Sequence, residues 1–174
     1  MQLTYFNGRG RAEYIRMVLH AADLEFEDHR IDMNDWPKIK PTIAGGQLPV
    51  LDVTTCCGKT RQMNESMAIA RWFARKHQMM GSNDEEYYEV ERVIGQCSDI
   101  YQDVYRIFRA TGDVKQNLLK EFTEGNGPRL LGVEVTVPGL SKDNLPIFER
   151  HRETVLKKHA KLAAYMETRP TTNF

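Results

Sequence analysis

The order of strand and helix patterns in the first eighty residues constrains the fold of this chain more than any other feature. Residues 3–6 form a short apolar run, and over residues 11–22 apolar side chains recur at helical spacing. Residues 26–31 then alternate between apolar and polar, as a half-buried strand does. A β-α-β unit of about thirty residues favours a parallel strand pair with a right-handed crossover.

The following segment adds two strands and a helix. Residues 49–53 and 60–63 predict a hairpin across Cys57 and Gly58. A helix is predicted over residues 65–77, where the last turn carries cations that suit the C-terminal end of a helix dipole. The intervening residues 36–46 are interpreted as a loop. The order β-α-β and then β-β-α is that of a thioredoxin-like domain.

The rest of the chain has a helical pattern. Residues 79–84 indicate a linker, with Asp84 predicted to cap the helix that follows. A long helix is predicted over 84–109 and a second over 113–122. The long helix carries one apolar seam, formed by Tyr87, Val90, Ile94, Cys97, Tyr101, Val104 and Phe108. We therefore predict an α/β domain at 1–78 followed by an all-α domain at 84–174.

The helical pattern of the second domain is interrupted between residues 125 and 146. Gly and Pro recur through this stretch, so that no helix of useful length fits. Helical periodicity returns only from Pro146, a residue suited to a first helical turn. A helical bundle needs a central element against which its outer helices pack. The second domain is therefore predicted to be incomplete around 125–146.

Charge and composition argue against several classes of function. The 174 residues contain 24 Lys and Arg against 24 Asp and Glu, and no basic stripe, which argues against nucleic acid or a membrane as the main partner. No apolar stretch approaches 18 residues and no leader precedes the first strand, so we expect a cytoplasmic protein. Three cysteines without a C-x-x-C pair and five histidines without a zinc-type pair predict no metal site.

Two candidate sites stand at the starts of predicted helices. Gly8-Arg9-Gly10 lies between a strand and a helix, but the third glycine of a dinucleotide fingerprint would fall at Glu13, so that interpretation is weak. Glu65-Ser66 would place a hydroxyl and free N–H groups at the positive end of a helix dipole. From the spacing alone, this arrangement indicates a binding site for a carboxylate and an ordinary N-cap equally well.

Two further candidates stand at the ends of predicted strands. Leu48-Pro49 is either a plain turn or, if its peptide bond is cis, a point where the Leu48 main chain is open to an extended peptide. Tyr5 is either a surface aromatic of the first strand or a hydrogen-bond donor to a bound sulfur. The residues alone leave both alternatives open.

Four motifs in register point to a known family. They are YFNGRGRAE at 5–13, DWPKIKP at 35–41, GGQLP at 45–49 and ESMAIA at 65–70. With these motifs the chain resembles glutathione S-transferases, in particular the sigma-like class of parasitic flatworms (fluke 28 kDa type). The resemblance covers nearly the whole chain.

The resemblance implies a transferase that conjugates reduced glutathione to hydrophobic electrophiles. It also implies a homodimer, prostaglandin D isomerase-type activity in some relatives, and no cofactor apart from glutathione as co-substrate. The catalytic residues would be Tyr5, which donates to the glutathione sulfur, and Arg16. The implied glutathione-binding residues are Tyr5, Phe6, Arg11, Trp36, Lys40, Leu48, Pro49, Glu65, Ser66 and, from the other subunit, Asp99.

The resemblance also assigns a part of glutathione to several of these residues. Leu48 would pair main chain to main chain with the cysteinyl part. Trp36 and Lys40 would take the glycyl carboxylate. Glu65 and Ser66 would hold the γ-glutamyl end.

This chain departs from the family pattern in one place. Members carry a buried helix opened by a capping box after the position of Leu131, whereas here Gly132 leads through Pro138 straight to the last helices. The implied glutathione site is complete, but the core behind the second pocket is not. The alternative is therefore a non-catalytic or weakly active variant that binds glutathione or lipophilic ligands.

Overall fold

The computed structural model of this chain describes residues 1–54, 57–126 and 145–172, and its first part is built on a four-stranded mixed sheet. The strands are β1 (Gln2–Phe6), β2 (Glu27–Ile31), β3 (Val50–Thr54) and β4 (Thr60–Met63). They lie in the order β2-β1-β3-β4, with β1 parallel to β2 and antiparallel to β3, and with β3 antiparallel to β4. The predicted parallel pair and the predicted hairpin are both confirmed.

Seven α-helices lie in the described part of the chain. They are α1 (Glu13–Ala21), α2 (Trp36–Ile39), α3 (Ser66–Lys76), α4 (Asp84–Arg109), α5 (Gly112–Glu121), α6 (Leu145–Lys158) and α7 (Ala160–Thr168). None of these helices has the length and apolar content that a membrane crossing requires. A thioredoxin-like layer followed by helices is the fold class that the sequence predicted.

The segment predicted as a loop over residues 36–46 contains three short helical turns instead. The single turn of α2 is followed by 3₁₀ turns at Lys40–Thr42 and Ala44–Gly46. Pro37 lies in the first turn of α2, where the missing N–H of proline costs no hydrogen bond. Turns this short carry no apolar periodicity, which is why the sequence pattern did not indicate them.

The core of the first part lies between the sheet and two helices. Leu3 of β1 and Leu51 of β3 are cross-strand neighbours, and both are fully buried. They pack in one cluster with Ile15 of α1 and with Ile69 and Phe73 of α3. Each such side chain contributes about 1.5–3 kcal/mol by leaving water, so this cluster fixes the strand ends and helix starts relative to each other.

The described residues form two compact units. The first unit contains Met1–Met80 together with Val155–Phe174, and the second contains Gly81–Thr154. In the first unit, α7 packs against α1. The division into domains at 1–78 and 84–174 remains a prediction, and most of the stretch predicted to be incomplete, residues 127–144, lies outside the described residues.

The cap of α4 differs from the prediction. Asn83, and not Asp84, caps this helix, since its side chain accepts a hydrogen bond from the Glu86 N–H at 2.9 Å. A capping residue needs an extended backbone, which Asn83 has, whereas Asp84 is already the first residue of the helix. The position of the cap depended on backbone angles that the sequence does not show.

Candidate active site

An open cleft lies in the first unit, where β3 and α3 begin. Five of the residues predicted to bind glutathione line this cleft, namely Arg11, Leu48, Pro49, Glu65 and Ser66. They come from separate segments of the sequence. The fold thus brings together half of the predicted binding residues at one place.

The main chain of Leu48 forms one wall of the cleft. The Leu48–Pro49 peptide bond is cis. Within the described residues, neither the N–H nor the C=O of Leu48 has a hydrogen-bonding partner. An extended peptide can pair with such a main-chain segment as a strand pairs with a sheet edge.

The start of α3 forms a second wall. Glu65 precedes the helix with φ 65° and ψ 95°, a left-handed conformation that residues other than glycine rarely adopt. Its side chain is exposed and makes no capping hydrogen bond. The Glu65 side chain therefore does not occupy the N–H groups of the first turn of α3. Backbone strain of about 1–3 kcal/mol is retained mainly where function requires the geometry, and a helix N-terminus attracts carboxylates.

The Tyr5 hydroxyl is hydrogen-bonded to the backbone of Arg11, a residue that lines the cleft. The backbone N–H of Arg11 donates a hydrogen bond to Tyr5 Oη at 3.3 Å. A hydroxyl that accepts one hydrogen bond becomes a better donor through its own O–H, because hydrogen bonds in a chain polarise one another. Gly10 permits this approach, since it has φ +39° and a Cβ there would lie 2.5 Å from Tyr5 Oη.

The aromatic residues predicted for the site form a row beside Tyr5. The rings of Tyr5 and Phe6 are 5.5 Å apart, and those of Phe6 and Trp36 are 5.6 Å apart, both in edge contact. Lys40 is exposed, and its side chain lies next to Gly46. Trp36 and Lys40 are not among the residues that line the cleft. Their predicted contact with the glycyl carboxylate stays a prediction.

Arg16, the second predicted catalytic residue, is fully buried. It donates from Nε to Asp28 Oδ1 at 2.9 Å and from Nη1 to the Gly8 carbonyl at 2.8 Å. Its Cζ lies 6.0 Å from the centre of the Tyr5 ring. A side chain without exposed surface does not touch a substrate, so any role of Arg16 in catalysis is exerted through Tyr5 and the Gly8 backbone.

Asp99, the residue predicted to reach the glutathione of a partner subunit, is exposed on α4 in the second unit. Its predicted contact across subunits stays a prediction. Within the described residues, no group of three or more His, Cys, Asp or Glu side chains is arranged to hold a metal ion.

Four further residues line the cleft that the sequence analysis did not name as site residues: Ala44, Gly45, Gln47 and Asn64. Gly45 and Gln47 lie in the GGQLP motif and Asn64 directly precedes Glu65, so the motif and this adjacency were the signals that the sequence offered. The Ala44 N–H donates to Gln62 Oε1 at 2.7 Å, and Gln62 donates to Asp52 Oδ1 at 3.1 Å. Side chains of β3 and β4 therefore hold this segment in place, which a local pattern does not reveal.

Comparison with known proteins defines the class of this fold. Residues 1–75 match the family model described as "Glutathione S-transferase, N-terminal domain". The solved structure of a Fasciola hepatica sigma class GST has a TM-score of 0.86 and 40% sequence identity, over 99% of this chain and 98% of that chain. The shared architecture is therefore that of a glutathione S-transferase.

Similar sequences give the same result. The Schistosoma japonicum "Glutathione S-transferase class-mu 28 kDa isozyme" is 41% identical over 100% of both chains. Human "Hematopoietic prostaglandin D synthase" is 35% identical over 75% of this chain and 62% of that protein. The chain belongs to the glutathione S-transferase family, and the family and fold class predicted from its sequence are confirmed.

The same alignment shows that this chain is shorter in its interior. It runs over 206 positions for the 174 residues of this chain, a difference of 32. Because both chains are covered from end to end, the missing positions are internal. The chain is therefore shorter than this relative in its interior, which agrees with the predicted truncation.

Proposed function

We propose that this protein conjugates reduced glutathione to hydrophobic electrophiles and that Tyr5 is its catalytic residue. The observation that carries the proposal is the Tyr5 hydroxyl, held 3.3 Å from the Arg11 N–H beside a cleft that Arg11 also lines. Glutathione acts as co-substrate, and the chemistry calls for no metal or organic cofactor.

Glutathione fits the cleft in an extended form. The main chain of Leu48, which has no partner among the described residues, pairs with the cysteinyl residue. The exposed Glu65 carboxylate takes the γ-glutamyl ammonium group, while Ser66 and the start of α3 take the adjacent carboxylate. Trp36 and Lys40 take the glycyl carboxylate. This assignment is supported by the chemistry of each group and by the family resemblance.

Catalysis then consists of stabilising the thiolate. A free thiol has a pKa of about 8.5, so lowering it by about two units requires roughly 2.7 kcal/mol of preferential thiolate stabilisation. A hydrogen bond from a hydroxyl to an anion is of this order, and the Arg16 guanidinium behind the ring adds positive charge. The thiolate sulfur then forms a bond to the electrophilic carbon, and the leaving group departs with the electron pair.

Replacement of Tyr5 by Phe tests the proposal. Tyr5→Phe should preserve glutathione binding, raise the pKa of the bound thiol by about two units and lower conjugation at pH 6.5 by up to roughly a hundredfold. Ultraviolet titration of the bound thiolate and turnover of a chloro-nitroaromatic measure these effects. Tyr88→Phe, at an exposed position in the second unit, is the matched control. An unchanged titration midpoint in Tyr5→Phe removes Tyr5 from the mechanism.

A second activity, isomerisation of a prostaglandin-type endoperoxide, is favoured by a specific likeness. The solved structure titled "rat hPGDS complexed with a quinoline" has a TM-score of 0.77 and 28% identity over 99% of this chain. We expect the cyclic peroxide to be opened to a hydroxyketone with no net consumption of glutathione. Absence of product at a protein concentration that conjugates the chloro-nitroaromatic would exclude this activity.

The alternative to an enzyme is a variant that binds glutathione or lipophilic ligands with little turnover. The 32 missing alignment positions favour it, because the second pocket of a transferase needs a supported helical wall. The turnover assay separates the two functions. Glutathione binding with normal thiol titration but no conjugation would support the binding protein.

We also propose that the protein is a cytoplasmic homodimer in which Asp99 approaches the glutathione of the partner. The exposed apolar side chains in the second half of α4, Val104, Tyr105 and Phe108, support an interface. A similar hookworm protein, at 30% identity and TM-score 0.72, is titled "monomeric Na-GST-3", so assembly needs a direct test. A monomer with full glutathione affinity in sedimentation at micromolar concentration would contradict the dimer, and cell fractionation tests the location.

A further inference from the structure

A buried carboxylate in the first unit links the last helix of the chain to the loop beside Tyr5. Glu13, at the start of α1, is only 9% exposed. Arg169, directly after α7, donates from Nη1 to Glu13 Oε1 at 2.7 Å. Tyr165 of α7 donates its hydroxyl to Glu13 Oε2 at 2.9 Å. A buried charge needs such partners, so the orientation of Glu13 depends on two residues of the C-terminal segment.

Glu13 in turn orients Arg16. Nη1 of Arg16 lies 3.3 Å from Glu13 Oε2 and donates to the Gly8 carbonyl at 2.8 Å, while Nε is held by Asp28. The remaining nitrogen, Nη2, is buried without a hydrogen-bonding partner among the described residues. The guanidinium is thus held through two of its three nitrogens. Loss of the contact with either carboxylate, Glu13 or Asp28, would let it rotate away from the Gly8 carbonyl.

The Gly8 carbonyl belongs to the loop that supports the Tyr5 hydroxyl. Three residues later, the Arg11 N–H donates to Tyr5 Oη, at 3.3 Å, which is long for such a bond. Gly10 leaves no room for even a methyl group against the hydroxyl. A displacement of the loop by a few tenths of an ångström would therefore weaken this hydrogen bond or press the backbone against the ring.

We propose that Arg169 is a positioning residue for Tyr5: by orienting Glu13 it fixes Arg16, and Arg16 fixes the backbone of residues 8–11. The inference rests on the proposed role of Tyr5. Burial, and after it the charge of Glu13, raise the pKa of Tyr165 to about 12. The Tyr165 hydroxyl therefore remains a donor to Glu13 over the whole pH range of the assay.

The test compares two cationic side chains of the C-terminal segment, Arg169 and Lys161. Each forms an ion pair with a residue near the start of the chain. Lys161 of α7 pairs with Glu25 at 2.6 Å and with Asp23 at 3.1 Å, and none of these residues contacts Arg16. Arg169→Met should raise the titration midpoint of bound glutathione by about 0.5–1 unit and lower kcat at pH 6.5 about three- to tenfold. Lys161→Met should leave both quantities unchanged, even where both variants lower the thermal midpoint.

Further variants decide between positioning and other roles. Arg169→Lys should restore part of the shift, and Glu13→Gln should also raise the midpoint, because an amide offers only one acceptor oxygen. A lowered midpoint in Glu13→Gln would show that the cluster acts through its charge, which overturns the positioning role. If Arg169→Met does not fold, Tyr165→Phe removes one donor to Glu13 and should give a smaller shift in the same direction.

The Tyr5→Phe variant, measured in the same assay, separates the two possible failures. If Tyr5→Phe leaves the midpoint unchanged, the proposed function fails. If Tyr5→Phe moves the midpoint while Arg169→Met moves it no more than Lys161→Met does, only the positioning role is overturned. Glutathione affinity should stay within about twofold in all C-terminal variants, since none of the changed residues lines the cleft.

Discussion

The two units of this chain bury their apolar residues to different extents. In the first unit, Leu3, Ile15, Leu19, Leu51 and Ile69 have no exposed surface. In the second unit, neither α4 nor α5 contains a buried residue. Most of the large apolar side chains that the described residues expose lie in these two helices: Tyr87, Tyr88, Val93, Val104, Tyr105, Phe108, Val114 and Leu119.

The difference shows that an amphipathic pattern does not guarantee a closed core. The seam of α4 is as regular as the pattern of α1, yet of these two helices, among the described residues, only α1 has apolar side chains that are fully buried by their neighbours. Each large side chain left in water forfeits about 1.5–3 kcal/mol, against a net domain stability of about 5–15 kcal/mol. Among the described residues, the unit that contains the cleft therefore has the stronger core, and the second unit is expected to be the weaker of the two.

The largest expected effect comes from matched substitutions in the two units. Ile69→Ala, at a fully buried position of the first unit, should cost about 2–5 kcal/mol. Ile94→Ala, half-buried on α4, should cost about 1 kcal/mol. Both tryptophans, Trp36 and Trp72, lie in the first unit, so fluorescence reports that unit, whereas far-UV circular dichroism also reports the 26-residue α4.

We expect guanidinium unfolding in two steps, with the dichroism change beginning before the fluorescence change. Ile69→Ala should move the fluorescence transition and Ile94→Ala the earlier dichroism transition, and a hydrophobic dye should bind before the fluorescence changes. Coincident transitions with both probes, together with no dye binding, would show one cooperative structure and abolish the contrast between the units.

A medium effect is expected from a pair of glycines, one in each unit. Gly10 has φ +39° and faces Tyr5 Oη, whereas Gly112 has φ +57° and no atom within 4 Å of the position that a Cβ would occupy. Alanine at either site should cost about 1–2 kcal/mol of backbone strain. Only Gly10→Ala should also lower turnover, about tenfold, since it displaces the hydroxyl. An equal loss of turnover in Gly112→Ala would mean that the site depends on the second unit.

The smallest effect concerns the pH dependence of the first unit. His20 stacks on Tyr165 at 4.3 Å and contacts Phe26 at 5.1 Å, and its burial lowers its pKa below 6.5. Below pH 6.5 the unfolded chain therefore binds a proton that the folded chain resists, so stability falls as the pH decreases. His20→Phe keeps the ring contacts and should remove the part of the stability loss at low pH that is due to protonation of His20. Fluorescence-monitored unfolding at about pH 7.5 and 5.5, on either side of the ordinary histidine pKa, checks this. An identical pH dependence in both proteins would contradict it.

The sequence predicted those parts of the fold that local pattern determines. The strands, α1, α3 and α4 follow from alternation or helical spacing, and the family motifs identified Leu48, Glu65 and Ser66, which the fold brings to one cleft. The short turns of residues 36–46 were missed because they carry no periodicity. The burial of Arg16 and its link to Arg169 were missed because they depend on contacts between residues far apart in sequence.

The membership of α7 in the first unit has a consequence for how the protein is made. Synthesis proceeds at about 5–20 residues per second, so Val155 follows Met80 by roughly 4–15 s. During that interval the nascent first unit has its sheet and α1 but lacks the partners that Arg169 and Tyr165 give to Glu13. The contacts that support the backbone of residues 8–11 are therefore completed last, although these residues are translated first. A deletion in the middle of the chain leaves both ends of this arrangement intact, whereas a ribosome that stalls before α7 would release a first unit in which Glu13 lacks both of these partners.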